Sequence, residues 1–285
     1  MTKKSSISGE DGIRSMTDHR EGAQDNGMLP IDEHVEEVSE NGKKVRHKGV
    51  YLLPNLFTTG ALFSGFYAIL ISIGGHFDAA AIAIFVAQVL DGLDGRIARL
   101  TNSSSAFGIQ YDSLSDMVSF GLAPAIVAFN WGLISLGKFG WAAAFLFTAC
   151  AALRLARFNT QAKSTNDRFF VGLASPPAAA LVAGIVWVWH DQEVSQLAAG
   201  AVAVAMILLG FLMVSNFRYN SFKGFDLRNR VPFVAMLLVV FVFTLTTIHA
   251  AFTFLCMAAI YSISGPIFWI FNKIYRRQTV SSANN

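Results

Sequence analysis

Charge is scarce in this chain. Only 14% of its 285 residues are Asp, Glu, Lys or Arg, against roughly 25% in soluble globular domains, which excludes a fold bathed by water on all sides. Cysteine is nearly absent: Cys150 and Cys256 are the two present. Both sit inside apolar runs, so a disulfide framework is excluded and each reads as a small packing residue. No apolar run follows the early Lys3 and Lys4, so no cleavable signal peptide is expected there. The net charge of +3 is spread over short loops, which offers no basic face to nucleic acid.

What is abundant is apolar surface: 53% of residues are hydrophobic and the mean hydropathy is +0.46. The expected fold class is all-α, a polytopic membrane helix bundle. Eight spans near the ~20 residues that cross a bilayer are expected at about 52–73, 77–100, 106–134, 139–159, 170–189, 195–215, 231–248 and 250–272. The last two are separated by little more than His249. Residues 1–48 are polar, mixed in charge and poor in branched and aromatic residues, the composition of a disordered tail. The membrane domain is expected over 49–277, with a polar C-terminal tail at 278–285.

Orientation follows from the basic residues. With the N-terminus in the cytoplasm, every Lys and Arg after residue 50 except Lys138 falls on the inner side, as the positive-inside rule requires. Lys43, Lys44, Arg46 and Lys48 precede the first span, where they suit either anionic headgroups or simple orientation. Trp131, Trp141, Trp187 and Trp189 fall at the outer interface as an aromatic belt.

Against this background one stretch stands out. Nine acidic residues follow position 50, and four of them lie between Asp91 and Asp116. A charged group at the bilayer centre costs roughly 2.5–3.5 kcal/mol on insertion scales, so carboxylates kept there point to ion, substrate or proton chemistry. Asp91 and Asp94 are three apart and Asp112 and Asp116 four apart, so on helices each pair shares a face. Two such helices converge four oxygen-bearing side chains, a donor set suited to Mg2+ or Mn2+ rather than zinc. Gly92, Gly95 and Gly108 each cost a helix about 0.8–1 kcal/mol relative to Ala, a cost consistent with a bulky ligand or a second backbone approaching there.

The stretch Asp91-Gly-Leu-Asp-Gly-Arg-Ile-Ala-Arg99, with Gly108, Asp112 and Asp116 at their spacings, resembles the signature of the CDP-alcohol phosphatidyltransferases. These membrane enzymes move a phosphatidyl or similar group from a cytidine diphosphate donor to an alcohol. The resemblance implies that Asp91, Asp94, Asp112 and Asp116 hold Mg2+ or Mn2+ on the pyrophosphate, and that Asp116 is also the general base. It implies that Gly95, Ala98, Arg99 and Gly108 line the nucleotide pocket. Asn55 and Thr58, in the first turn of span one beside Pro54, match positions that approach the CDP-diacylglycerol pyrophosphate. Close helix packing for the small residues, and capping for Asn55 and Thr58, stay open as alternatives.

A further run, Arg154-Leu-Ala-Arg157-Phe-Asn159, together with Phe170-Val-Gly-Leu173 and the following Pro and Ala residues, resembles the branch of that family whose acceptor is L-serine. Pro176-Pro177 with Ala174 varies on the commoner Pro-x-Pro arrangement. Arg154 and Arg157 are three apart on one face, and a guanidinium reads a carboxylate well; each arginine equally suits a lipid phosphate or interfacial snorkelling. The resemblance also implies a homodimer in a bacterial inner membrane. The same chemistry with glycerol 3-phosphate, inositol phosphate or choline is the nearest alternative. A cation-coupled transporter is a remote one, since no internal symmetry is evident.

Overall fold

The computed structural model describes residues 38–40, 43–45, 52–101, 106–161, 169–220 and 233–282. Most of the expected tail, the turn after Thr101 and the basic residues Lys163, Arg168, Lys223, Arg228 and Arg230 lie outside them. Contacts divide the chain into two units, Met1–Arg46 and His47–Asn285. In the first, β1 (Val38–Glu40) pairs antiparallel with β2 (Lys43–Val45). Val38 stands opposite Val45 and Glu40 opposite Lys43, and the rest of the segment expected to be a disordered tail lies outside the described residues.

The second unit is helical. Its elements are α1 (Leu52–Ile73), α2 (Phe77–Leu100), α3 (Ala106–Asp116), a π-helical turn (Met117–Leu122), α4 (Ala123–Trp131), a 3-10 turn (Leu133–Leu136), α5 (Lys138–Gln161), β3 (Phe169–Val171), α6 (Ser175–Val188), α7 (Gln196–Val214), β4 (Arg218–Asn220) and α8 (Phe233–Ser282). Each expected span contains helix, though not every one over its whole length. Among the described residues five stretches are long and apolar enough to cross a membrane: Leu53–Ile73, Phe107–Trp131, Lys138–Thr160, Gln196–Val214 and Met236–Trp269. This is an integral membrane protein. α2 is long enough, but Asp78, Asp91, Asp94, Arg96 and Arg99 make it too polar to qualify.

The fifth expected span, 170–189, is corrected by the structure. Its helix is only 14 residues long, because β3 pairs antiparallel with β4 instead of starting it. Gly172 makes the change of direction at φ +84°, in the left-handed region where a side chain is strained. Its N–H donates to the Phe217 carbonyl at 2.8 Å, and an added Cβ would collide with the Met213 carbonyl. Pro176 and Pro177 then open α6, where their missing N–H groups cost nothing. The break between the last two spans falls at His249, which is non-helical at φ −143° and ψ 77°, as expected. Past it the helix runs on to Ser282, into the segment expected to be a polar tail.

Serines and small residues let the helices around α1 approach closely. Ser64 Oγ donates to the Ala83 carbonyl at 2.7 Å and Ser119 Oγ to the Ala61 carbonyl at 3.0 Å. A Cβ at Gly65 would lie 2.7 Å from Ser119 Cα, so glycine is required where the π-helical turn crosses α1. Such inter-helix bonds are worth about 0.6 kcal/mol each in lipid, while close packing supplies the rest. The expected tryptophan belt is only partly exposed: Trp131 is buried and Trp141 faces outward, while Trp187 packs on Phe85 and Phe254. Trp131 Nε1 donates to the Trp189 carbonyl at 3.3 Å, which draws its indole inward.

Candidate active site

The carboxylates are carried by α2 and α3, and α1 ties those two helices together. Ser115 Oγ of α3 donates to the Thr58 carbonyl of α1 at 3.1 Å, and the Thr58 hydroxyl reaches Asp94 Oδ2 of α2 at 2.7 Å. Thr58 has one hydroxyl proton, and the Pro54 carbonyl is a second acceptor at 3.1 Å; the shorter contact favours Asp94. Asp94 is buried. Beside this bridge Tyr111 and Thr59 join their hydroxyls at 2.9 Å.

Asp91, Asp112 and Asp116 converge, with one oxygen of each lying within 4.8 Å of the others. Asp94 stands apart from this trio, engaged by Thr58. Helical spacing alone did not separate it from the other three; the hydroxyl partner on α1 does. The π-helical turn begins at Met117, directly after Asp116, so Asp112 and Asp116 keep α-helical spacing while the chain beyond is re-registered. Thr148 Oγ1 reaches the Gly121 carbonyl within that turn at 3.3 Å. Such turns recur at functional sites.

Three carboxylates this close repel one another until protons or a cation intervene. Among the described residues none of the four carboxylates forms an ion pair with Lys, Arg or His. Asp112 Oδ1 is buried without any hydrogen-bond partner, an arrangement costly for a carboxylate unless something else binds it. An all-oxygen set with an orphaned oxygen fits a hard divalent cation. Arg154 attracts Asp116 electrostatically without closing an ion pair.

Next to the trio lies a cavity of about 210 Å³ lined by Pro54, Asn55, Thr58, Asp94, Gly95, Ala98, Arg99, Gly108, Ile109 and Asp112. Every residue expected to bind the nucleotide-linked donor is on its wall. The close-packing alternative for the first glycines fails on geometry, since a Cβ added at Gly92 or Gly95 meets no protein atom within 4 Å. Arg99, also on the cavity wall, is exposed, and its Nε donates to the Gly95 carbonyl at 2.8 Å.

The two arginines of α5 separate. Arg154 Nη1 donates to Ser175 Oγ at the start of α6 at 2.6 Å. Arg157 instead donates to the Val214 carbonyl at 3.2 Å and to Asn216 Oδ1 at 2.7 Å, where it caps the end of α7. Asn159 of the same run joins Ser113 of α3 through its Nδ2 at 3.0 Å. Ile109 and Ser175 were not anticipated as site residues. Ile109 follows Gly108 and could have been found from that neighbour, whereas Ser175 depends on how α6 begins.

Comparisons with known proteins agree with this geometry. Residues 51–214 match the family described as CDP-alcohol phosphatidyltransferase, and the chain belongs to that family. A Helicobacter pylori protein named CDP-diacylglycerol--serine O-phosphatidyltransferase is 36% identical over 225 residues, covering 78% of this chain and 92% of that protein. A Mycobacterium leprae protein of the same name is 38% identical over 147 residues, or 50% of this chain and 48% of that protein. A Methanothermobacter thermautotrophicus protein named archaetidylserine synthase is 33% identical, covering 65% of this chain and 75% of its own length.

Proposed function

We propose that this chain transfers the phosphatidyl group of CDP-diacylglycerol to L-serine, giving phosphatidylserine and CMP. The observation that carries this reading is the cavity whose wall holds all six expected donor-binding residues together with Asp112, a member of the carboxylate trio. The serine acceptor is supported by the names of relatives that align over most of this chain and by Arg154, a carboxylate reader placed near Asp116.

In this reading Asn55, Thr58, Gly95, Ala98, Arg99 and Gly108 seat the nucleotide and pyrophosphate. Glycine and alanine give the room, and Arg99 offers N–H groups to phosphate oxygens. Asp91, Asp112 and Asp116 would hold Mg2+ or Mn2+, with Asp94 beside them steadied by Thr58. A cation held there would neutralise charge that develops on the phosphates and on departing CMP. Asp116 takes the proton of the serine hydroxyl as its oxygen bonds to the phosphorus that carries diacylglycerol, and the bond from that phosphorus to CMP breaks. Arg154 orients the serine carboxylate, while Arg157 keeps α7 in place. Positioning and electrostatics account for most of the rate in phosphoryl transfer.

The same proposal places the site at the cytoplasmic face of a bacterial inner membrane, with both termini cytoplasmic and the chain acting as a homodimer. The distribution of basic residues supports the orientation, and the family resemblance supports the dimer. CMP release by the purified protein with CDP-diacylglycerol and Mn2+ or Mg2+ tests the activity. Serine is expected to drive release while glycerol 3-phosphate, inositol phosphate and choline do not. Release driven by one of those alcohols instead would overturn the acceptor, and no release with serine or with any of those alcohols would overturn the transferase reading.

A further inference from the structure

Ser175 is fully buried at the first residue of α6, and its hydroxyl accepts the 2.6 Å hydrogen bond from Arg154 Nη1. Three independent contacts fix the place of that hydroxyl. Leu173 N–H donates to the Leu212 carbonyl at 3.0 Å and Gly172 N–H to the Phe217 carbonyl at 2.8 Å, which sets the entry to α6 against α7 and β4. Gln88 Nε2 donates to the Pro176 carbonyl at 2.8 Å. Gln88 lies one helical turn before Asp91 on α2, so the helix that carries the carboxylates also locates Ser175.

A guanidinium has five N–H donors in one plane, and holding one of them fixes the direction of the others. Arg154 is half-buried, has its Nη1 held by Ser175 at 2.6 Å, and is close enough to Asp116 for the two charges to attract. We propose that Ser175 is a positioning residue for acceptor recognition: it pins one arm of Arg154 so that the remaining N–H groups meet the carboxylate of an amino-acid acceptor held beside Asp116. This inference rests on the serine reading above. It explains why Arg154 and Arg157, alike in sequence, have different partners, one at the reaction centre and one at the end of α7.

The test measures initial rates of CMP release by the full chain, varying L-serine at saturating CDP-diacylglycerol and then the reverse. Ser175→Ala removes the hydroxyl; Ser175→Thr and Ser175→Val add the same bulk and differ in the hydroxyl alone. A hydrogen bond to a charged group is worth enough for the Ala and Val variants to raise the serine KM roughly ten-fold. The KM for CDP-diacylglycerol is expected to stay at the wild-type value, and Thr to restore most of the serine affinity. Equal serine KM in the Thr and Val variants, or both KM values rising together, would overturn the proposal while leaving the reaction in place. A wild-type protein that ignores serine and uses another alcohol would overturn the functional reading itself.

Discussion

The two ends of the helix bundle hold polar groups in opposite ways. At the end formed by Ser72, Asn130 and Trp189, polar atoms meet one another or the backbone: Asn130 Nδ2 donates to Ser72 Oγ at 3.0 Å, Ser72 Oγ donates to the Ile69 carbonyl at 2.7 Å, and His190 pairs with Asp191 at 3.1 Å. At the other end three carboxylates crowd within 4.8 Å, with one buried oxygen unpartnered. Inside a membrane, satisfied polar groups lock helices together, whereas like charges left facing one another cost stability and are kept for a ligand.

That contrast is testable by substitution at each end. The largest effect is expected from Asp112→Asn, which keeps the shape and removes one charge. CMP release should fall by about 10³-fold, while thermal unfolding in the absence of divalent cation should occur at an equal or higher temperature, because repulsion in the trio is relieved. A lower unfolding temperature would show that Asp112 is a stabilising residue like those at the far end. Next in size, chelation should abolish activity reversibly, and saturation with Mn2+ at ~100 times its dissociation constant should raise stability by about 2.7 kcal/mol, read as a shift in unfolding midpoint.

Glycines sharpen the same distinction. Gly95→Ala should stabilise α2 by up to about 1 kcal/mol, since its new Cβ meets no protein atom within 4 Å, yet raise the KM for CDP-diacylglycerol by about ten-fold through lost ligand space. Gly65→Ala should do the reverse, costing about 1–3 kcal/mol by overpacking Ser119 with little change in KM; denaturant titration and steady-state rates on the two variants decide it. The smallest effect belongs to Asn130→Ala. Loss of its bond to Ser72 should cost about 1 kcal/mol of stability and leave kcat/KM unchanged.

Much of this contrast was legible in the sequence. Hydropathy located the helices, because length and apolarity are local properties, and the break at His249 fell between two apolar runs. The spacing from Asp91 to Asp116 marked one end of the bundle as chemical, and the six donor-binding residues drawn from the family resemblance line one cavity. Other features depended on tertiary contact. Hydropathy could not separate Phe169–Val171 from the apolar helix that follows, since its pairing with Arg218–Asn220 is set by residues about fifty positions away. No periodicity signals a single π-helical turn after Asp116. Asp94 differs from its three companions only through Thr58, and Arg157 differs from Arg154 only through the end of α7.

Below these strands and caps, one claim carries the account: the crowded carboxylates are a cation site. Uptake of Mn2+, followed as loss of the free-ion electron paramagnetic resonance signal on titration into purified protein, tests it without reference to catalysis. The account predicts saturable uptake by the wild type and its loss in Asp112→Asn, with Asn130→Ala unchanged. Wild-type protein that leaves the free Mn2+ signal undiminished would contradict it.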